Sequence, residues 1–598
     1  MKPIRALLQR IPKLLIVLTA FRLINAISTR TFFQADEFWQ ALEPAHYKAF
    51  GFGQLTWEWE YGLRSYAFPL IFEVAYRLVS AACFLCSILT WGLSACIASI
   101  AQHMLPDEKL SNIDALLRPI QELPTILEYN GVIYAPKAAM AVIAAVGEYY
   151  TVKFIQKLHI MTMEKSDDEK GMKLSQITKI STVLTLTNFF NCFLITRTFI
   201  NSFELCLTSI ALFYWDWTGG ELIHGADFTK SLVVAIFACL QRPSNALIWL
   251  VLGFFLVCQL VERKGFPSLV YLLCKISSVL AAVTLFNCII DYYFYGELVF
   301  PVFRFLKFNF TSPLSNFYGV APWHFHLTQS VPILLGLNIP LFLYGLFIGS
   351  NKRNKPTQVI DPLKQIKTVI LISLLSFSSL AHKEFRFLYP LQPLFTLISS
   401  FALLALAARH RIKSRTLNNL FWALPFVSVF AALFLNSFNE AGVVSVMNFL
   451  HNEPAIDSVG FIMPCHSTPW QSHLHRNDIE QLWAITCEPP LHLLNDPDAH
   501  EKLPNYMDES DYLYEDVPDF IYKNFPPLFR KNLRSPGKQY KYEWPEYLVI
   551  FEHLKNLYFD SLLKDSTYIE VARFFNSFTH WDSRRQGDVL VYQKINDK

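Results

Sequence analysis

The sequence predicts a polytopic α-helical membrane protein with about eleven transmembrane helices and a C-terminal mixed α/β domain. Three observations carry this. The 598 residues are 53% hydrophobic, with a mean hydropathy of +0.28. Charged residues make up 17% of the chain, against about 25% in a typical soluble domain. Apolar stretches of the roughly 17–25 residues that span a bilayer follow one another up to residue 437, without the polar linkers that separate soluble domains. The net charge of +3, with no basic and aromatic platform, excludes a nucleic-acid partner.

The first element, within 1–29, has a basic flank (Lys2, Arg5, Arg10, Lys13) and an apolar run over 11–29, with no small-residue cleavage site. It reads as a retained span with its N-terminus in the cytosol. A polar, aromatic loop follows at 30–67. The multispanning region, 68–437, places further spans near 68–103, 131–152, 176–195, 198–216, 230–258, 266–290, 330–350, 366–381, 387–408 and 418–437.

Three short basic connections, VERKG (261–265), NKRNK (351–355) and RHRIKSR (409–415), belong on the cytosolic side. Eleven spans satisfy all three, and put 30–67, 291–329, 381–386 and everything after 438 on the opposite side. One connection breaks the rule. The segment 157–173, with Lys157, Lys165, Lys170 and Lys173, falls on the non-cytosolic side by parity; a mis-split helix near 68–103 or 176–216 would account for it.

The tail, 438–598, holds polar turns and strand-like runs such as YLVIFEHL and DVLVYQKI. Nine of the eleven cysteines lie in or beside apolar segments, where cysteine is a small buried hydrophobe. Cys465 and Cys487 lie in the tail, where an oxidising lumen would allow a bridge. NFT at 309–311 makes Asn309 a glycosylation sequon.

Titratable groups gather on the non-cytosolic side. Asp36 and Glu37 stand together just after the first span, followed by His46 and TWEWEYGLRSYAFP (56–69). Glu43 and Glu58 read as solvated loop charges, and Trp57, Trp59, Tyr61 and Trp323 as sugar-stacking or interfacial aromatics. RTFINSFE (197–204) sits at a span boundary; Arg242 and Asn245 lie inside an apolar run, where an arginine snorkels or pairs. His324 and His326 flank an aromatic loop. HKEFRFLYP (382–390) wedges His382, Lys383, Glu384 and Arg386 between two spans. Its basic trio suits a phosphate at the bilayer surface, with arginine forking onto its oxygens.

No Cys/His set has zinc spacing, and there is no phosphate-cradling glycine loop and no Gly-x-Ser-x-Gly elbow. The groups present fit attack of a hydroxyl on a carbon bearing a phosphate. Asp36 would take the proton, and His382 with Arg386 would support the departing phosphate. A lipid or sugar transporter would instead carry charges near the bilayer midplane, in matched halves. A scaffold would not concentrate titratable groups on one face.

At these residues the chain resembles a family. FFQADEFWQALEPAHYKAFGFGQLTWEWEYGLRSYAFPL, RTFINSFE, RPSNALIW and HKEFRFLYP are similar to the dolichyl-phosphate-mannose-dependent α-mannosyltransferases of the endoplasmic reticulum, which have the GT-C fold. The resemblance covers about 30–440 and is loosest around 82–130 and 157–175. DYYFYG, LKFN and FYGVAPWHF in 291–329, with MPCHSTPWQSHLH and YMDESDYLY in the tail, extend it. They narrow it to members that add the third, α-1,2-linked mannose to the glycosylphosphatidylinositol (GPI) precursor; addition to a dolichol-linked oligosaccharide stays open on the residues alone.

The resemblance implies an inverting enzyme with its active site on the luminal side of the membrane and Asp36 as catalytic base. Glu37, Arg242, Trp323, His324, His382, Lys383 and Arg386 would bind substrate. The family is metal-independent, in keeping with the missing ligand sets, so no cofactor or metal is expected; dolichyl phosphate mannose is the donor substrate. The expected partners are the two lipid-linked substrates and the bilayer, with no protein partner.

Overall fold

The computed structural model describes residues 12–595 apart from 105–112, 163–166, 312, 349–359, 410–414, 495, 529–537 and 565. Long helices form most of the chain: α1 (Lys13–Ser28), α2 (Pro69–Met104), α3 (Ile113–Thr162), α4 (Asp167–Leu186), α5 (Ile200–Tyr214), α6 (Ala226–Gln241), α7 (Ala246–Lys264) and α8 (Phe266–Tyr295). They continue with α9 (His326–Leu346), α10 (Pro362–Ser379), α11 (Gln392–Arg409), α12 (Arg415–Phe438) and α13 (Gly442–Asn452). Six helices among the described residues are long and apolar enough to cross a membrane, or up to seven if the bent pair α12–α13 counts as one. That is fewer than the eleven expected, because several bundle helices are short or carry buried polar groups.

The bundle core is built of Phe, Leu, Ile and Trp side chains, among them Phe154, Phe199, Trp217 and Tyr389. Ion pairs cross it: Arg22 on α1 meets Glu148 on α3, both fully buried. Lys137 on α3 donates to the carbonyl of Thr29, just past the end of α1 (2.7 Å), so α1 and α3 run antiparallel. At the other end Lys157 donates to the carbonyls of Phe213 and Trp215, Arg263 and Lys264 pair with Glu221, and Lys367 donates to Leu346 and Ile348.

Two expectations are corrected here. The region 230–258 is not one span; it breaks at Arg242 into α6 and α7, joined by a turn at Pro243–Asn245. Pro243 has no amide hydrogen to continue a helix, and the break lets Arg242 and Asn245 reach Glu204. The segment 157–173 is helix on both sides of 163–166, the ends of α3 and α4, at the same end of the bundle as Arg263 and Lys264. The ends of α3 and α4 that flank it therefore lie at the end of the bundle where Arg263 and Lys264 pair with Glu221.

The tail holds a five-stranded mixed sheet in the order β2-β1-β3-β5-β4, with β1 (Ser458–Ile462), β2 (Gln481–Ala484), β3 (Tyr547–Phe551), β4 (Tyr568–Phe574) and β5 (Val589–Lys594). Strands β2, β1 and β3 are parallel; β5 is antiparallel to β3 and β4. The fully buried β3 is a continuous apolar run, as a central strand covered on both faces must be. One face packs with α13 and with residues 32–50 in a single core, so the tail and the first loop share their interior. Cys465 and Cys487, 22 residues apart, form a disulfide.

Candidate active site

Asp36 and Glu37 point in different directions. The Glu37 carboxylate is 4% exposed and faces the bundle, accepting from Arg197 Nη1 (3.1 Å) and from the amide of Phe33 (3.1 Å). Arg197 also donates to the Thr31 carbonyl, the Thr31 hydroxyl and Asn436 Oδ1, while the Thr198 hydroxyl donates to the carbonyl of Glu37. Glu37 is therefore the post that ties the loop to the bundle. Asp36 is 25% exposed, and Arg386 Nη1 lies 2.5 Å from its Oδ2. The next turn, Phe38–Leu42, is a π-helix, a rare element frequent at functional sites.

Arg386 sits buried at the start of the turn Phe385–Leu391. Its Nε and Nη2 fork onto Glu384 (2.6 and 2.9 Å), the bidentate geometry that makes arginine specific for planar anions. His382 sits between two acceptors, the Gly319 carbonyl at Nδ1 (2.7 Å) and Glu384 at Nε2 (3.3 Å). Both ring nitrogens must carry protons to satisfy them. Burial pushes His382 down, but Glu384 and the carbonyl outweigh it and raise it above its usual range. Burial pushes Glu384 up, and Arg386 with His382 overturns this to hold it far below the usual carboxylate range.

Two more guanidinium groups face this point. Arg242 Nε lies 3.1 Å from Glu204 Oε2, and its charge is felt at Arg386 and Arg64. Arg64 is held by Glu58 (2.7 Å) and interacts with both Asp36 and Arg386. Arg64, Arg242 and Arg386 each keep one buried N–H without a well-aligned acceptor. Arg386 and Arg64 beside Asp36, with Arg242 next to both, form a place where an anion is attracted close to a carboxylate able to take a proton.

The tail closes the loop from the other side. Trp39 Nε1 donates to the carbonyl of Thr468 (3.2 Å), and the His466 ring stands edge-on to Trp39. The fully buried Glu43 accepts from the amides of Trp470 (2.9 Å) and Ser472 (3.1 Å). His46 Nε2 meets His475 Nδ1 at 2.8 Å. Burial raises Glu43 to about 7 and lowers His46 and His473 to about 3 and His466 and His475 to about 4.

The expected site residues thus divide. Asp36, Arg242, His382 and Arg386 come together. Glu37 is turned inward. Lys383 donates to the carbonyls of Ala321 and Leu380, and so pins the irregular segment 319–321. Trp323 is exposed and stands edge-on to the His324 ring, and His324 Nδ1 lies 3.4 Å from the Thr328 hydroxyl. Trp59 is core, donating to the carbonyl of Trp39, so it stacks on no sugar. Asn309 lies exposed on a helix, Pro301–Thr311, and donates to the carbonyl of Phe305.

Arg64, Glu43 and the tail's contribution were not foreseen. Glu43 and Glu58 were expected to be solvated, yet one is buried against amides and the other holds Arg64. The only signal was a charge inside an aromatic run, which does not reveal its partner. Cys465, His466 and Cys487 have metal-like proximity, but the disulfide consumes both thiolates that a metal would need.

The pattern of the Alg9-like mannosyltransferase family matches residues 13–475. The chain belongs to this family. It is a glycosyltransferase, and its full length is similar to GPI mannosyltransferase 3 of Saccharomyces cerevisiae (57% identical, covering 97% of this chain and 95% of that one). The corresponding Kluyveromyces lactis protein is 51% identical (98% and 99% covered), and the Candida albicans protein 36% identical (97% and 97%). Among solved structures, ArnT of Cupriavidus metallidurans bound to undecaprenyl phosphate superposes with a TM-score of 0.55 at 10% identity, covering 97% of each chain. That likeness gives the fold of the family member, GT-C, and nothing finer.

Proposed function

We propose that this GPI-anchor mannosyltransferase transfers the third mannose, in α-1,2 linkage, from dolichyl phosphate mannose to the two-mannose GlcN-acyl-phosphatidylinositol precursor, at the luminal face of the endoplasmic reticulum membrane. The acceptor hydroxyl attacks C1 of the β-linked mannose from the side opposite the phosphate. The bond from C1 to the phosphate oxygen breaks, its electrons stay on the phosphate, and the hydroxyl proton passes to Asp36. Inversion gives the α product.

The observation that carries this reading is the meeting of Asp36 and Arg386. Glu384 holds Arg386 through Nε and Nη2, which leaves the Nη1 edge to be shared between Asp36 and an arriving phosphate. The phosphate gains charge as the bond breaks, and Arg386, Arg242, Arg64 and protonated His382 are the cations that would stabilise it most at that moment. Glu37 positions Asp36 and does not touch the acceptor. The basic side chains at the far end of the bundle support a luminal site, since lysine and arginine favour the cytosolic side.

Glycolipids labelled with mannose in cells lacking the protein test the acceptor. A two-mannose GPI precursor should accumulate. Accumulation of a truncated dolichol-linked oligosaccharide instead would move the enzyme to N-glycan assembly.

A further inference from the structure

An inverting displacement needs its acceptor and its leaving group on opposite faces of the sugar ring. The arginines fix the leaving-group side, with Arg386 Nη1 2.5 Å from Asp36 and Arg64 and Arg242 next to it. The acceptor therefore reaches Asp36 from a side those cations do not occupy. The tail meets the Asp36 loop from such a side. Its turn after β1, residues 463–470, packs on Trp39 of the π-helix that begins two residues past Asp36: Trp39 donates to the Thr468 carbonyl, and its ring meets those of His466 and Trp470. The charges that reach His466 are those of Arg585 and Asp36, and no site arginine is among them.

His466 is held there in an uncommon posture. Its backbone φ is +52°, in the left-handed region that residues other than glycine seldom adopt and that recurs at active sites and ligand clamps. Three restraints fix the turn. The disulfide ties Cys465 to Cys487, just past β2. The Ser467 hydroxyl donates to the Pro464 carbonyl, and Arg585 Nη2 donates to the Cys465 carbonyl (3.3 Å). The ring stands edge-on to Trp39 with 4.6 Å between ring centres. Every other residue of 461–470 is buried, and His466 alone keeps part of its surface open.

The two ring nitrogens have different surroundings. Nδ1 lies 3.0 Å from Cys465 Sγ and 3.6 Å from Cys487 Sγ. Bridged sulfurs have no proton to donate and accept weakly, so Nδ1 carries the proton of the neutral ring and Nε2 keeps its lone pair. Burial, with Arg585 nearby, lowers His466 to about 4, so the ring is neutral near pH 7. Among the described residues no donor reaches Nε2. A neutral acceptor nitrogen suits a sugar hydroxyl and offers nothing to a phosphate, which has no proton to donate.

We propose that His466 binds the acceptor: its Nε2 accepts a hydrogen bond from a hydroxyl of the outer mannose other than the attacking one, and so aims the attacking hydroxyl at Asp36. The tail then supplies the acceptor side of the site, as the arginines supply the donor side, and the Cys465–Cys487 bridge holds the ring in place. This rests on the transfer reaction proposed above.

His466→Leu and His466→Gln in the full-length protein test it, because both side chains are of similar size and only glutamine keeps an acceptor where Nε2 was. With a synthetic two-mannose GlcN-acyl-phosphatidylinositol, His466→Leu should raise acceptor KM about tenfold, the loss of one hydrogen bond that leaves a hydroxyl unpaired. Donor KM should stay the same, and His466→Gln should recover most of the loss. Acceptors deoxygenated singly at the 3-, 4- or 6-position of the outer mannose give a readout that packing alone would not move. One of them should cost the wild type about tenfold and His466→Leu nothing. Equal losses in both enzymes for every deoxy acceptor, or leucine and glutamine variants that match each other, would overturn the proposal. His466→Asn, which suits a left-handed backbone and is too short to reach, replaces the leucine variant if that one does not fold. If the wild type ignores the two-mannose glycolipid and uses a dolichol-linked oligosaccharide, the function proposed above fails, and the same comparison on that acceptor still decides the role of His466.

Discussion

Glu37→Gln separates a carboxylate that holds the loop from one that handles sugar. Glu37 and Arg197 are 4% and 1% exposed, and each Glu37 oxygen lies within 3.2 Å of Arg197 Nη1. Leaving one partner of a buried pair uncompensated costs about 3–5 kcal/mol. Arg197 keeps acceptors on Thr31 and Asn436, and the amide oxygen of glutamine can still receive one N–H. The expected loss is therefore closer to that of one hydrogen bond to a charged group, about 1.5–3 kcal/mol, or roughly 10–150-fold in the folded-to-unfolded ratio. Thermal unfolding of the detergent-solubilised protein should show the loss, with folded variant retaining its acceptor KM in mannose transfer. Wild-type stability together with a raised acceptor KM would refute the reasoning and return Glu37 to the acceptor site.

Asp36→Asn keeps the shape and removes the basicity, so transfer should slow by about 10²–10⁴-fold with the fold intact; near wild-type rates in microsomes supplied with donor would exclude Asp36 as the base. Arg386→Lys should restore only part of the donor use lost in Arg386→Ala, because an ammonium cannot fork onto Glu384 and a phosphate together; equal activity of the lysine form and the wild type would remove Arg386 from the phosphate role. His382 is raised, so the stability it contributes is present below the usual 6.5 and is lost as pH rises through its folded value. Donor KM should accordingly increase from pH 6.5 upward, and a pH profile unchanged in His382→Gln would rule this out. The contact between tail and loop runs the other way. His46, His466, His473 and His475 are lowered, so their stabilisation is complete above 6.5 and drains as pH falls towards 3–4, opposed by the single raised carboxyl of Glu43. Limited proteolysis of the 464–476 region should accelerate between pH 6.5 and 4, and unchanged cleavage would show that these histidines do not hold the interface.

The sequence by itself determined the membrane class, the α/β tail and the segments that meet at the site, and it allowed the Cys465–Cys487 bridge that the structure forms. Those are properties of composition, hydropathy and residue type, which a single strand of text carries in full. Tertiary structure alone decided which of two adjacent carboxylates is free. Glu37 finds Arg197 160 residues away, and only that partner turns it inward and leaves Asp36 facing the arginines. It decided likewise that Glu43 is buried beneath the tail, that Arg64 joins Arg242 and Arg386, and that Lys383 spends its charge on carbonyls. Hydropathy reports how well a segment tolerates lipid, whereas the direction of a side chain and the path of a helix depend on contacts made across the whole chain.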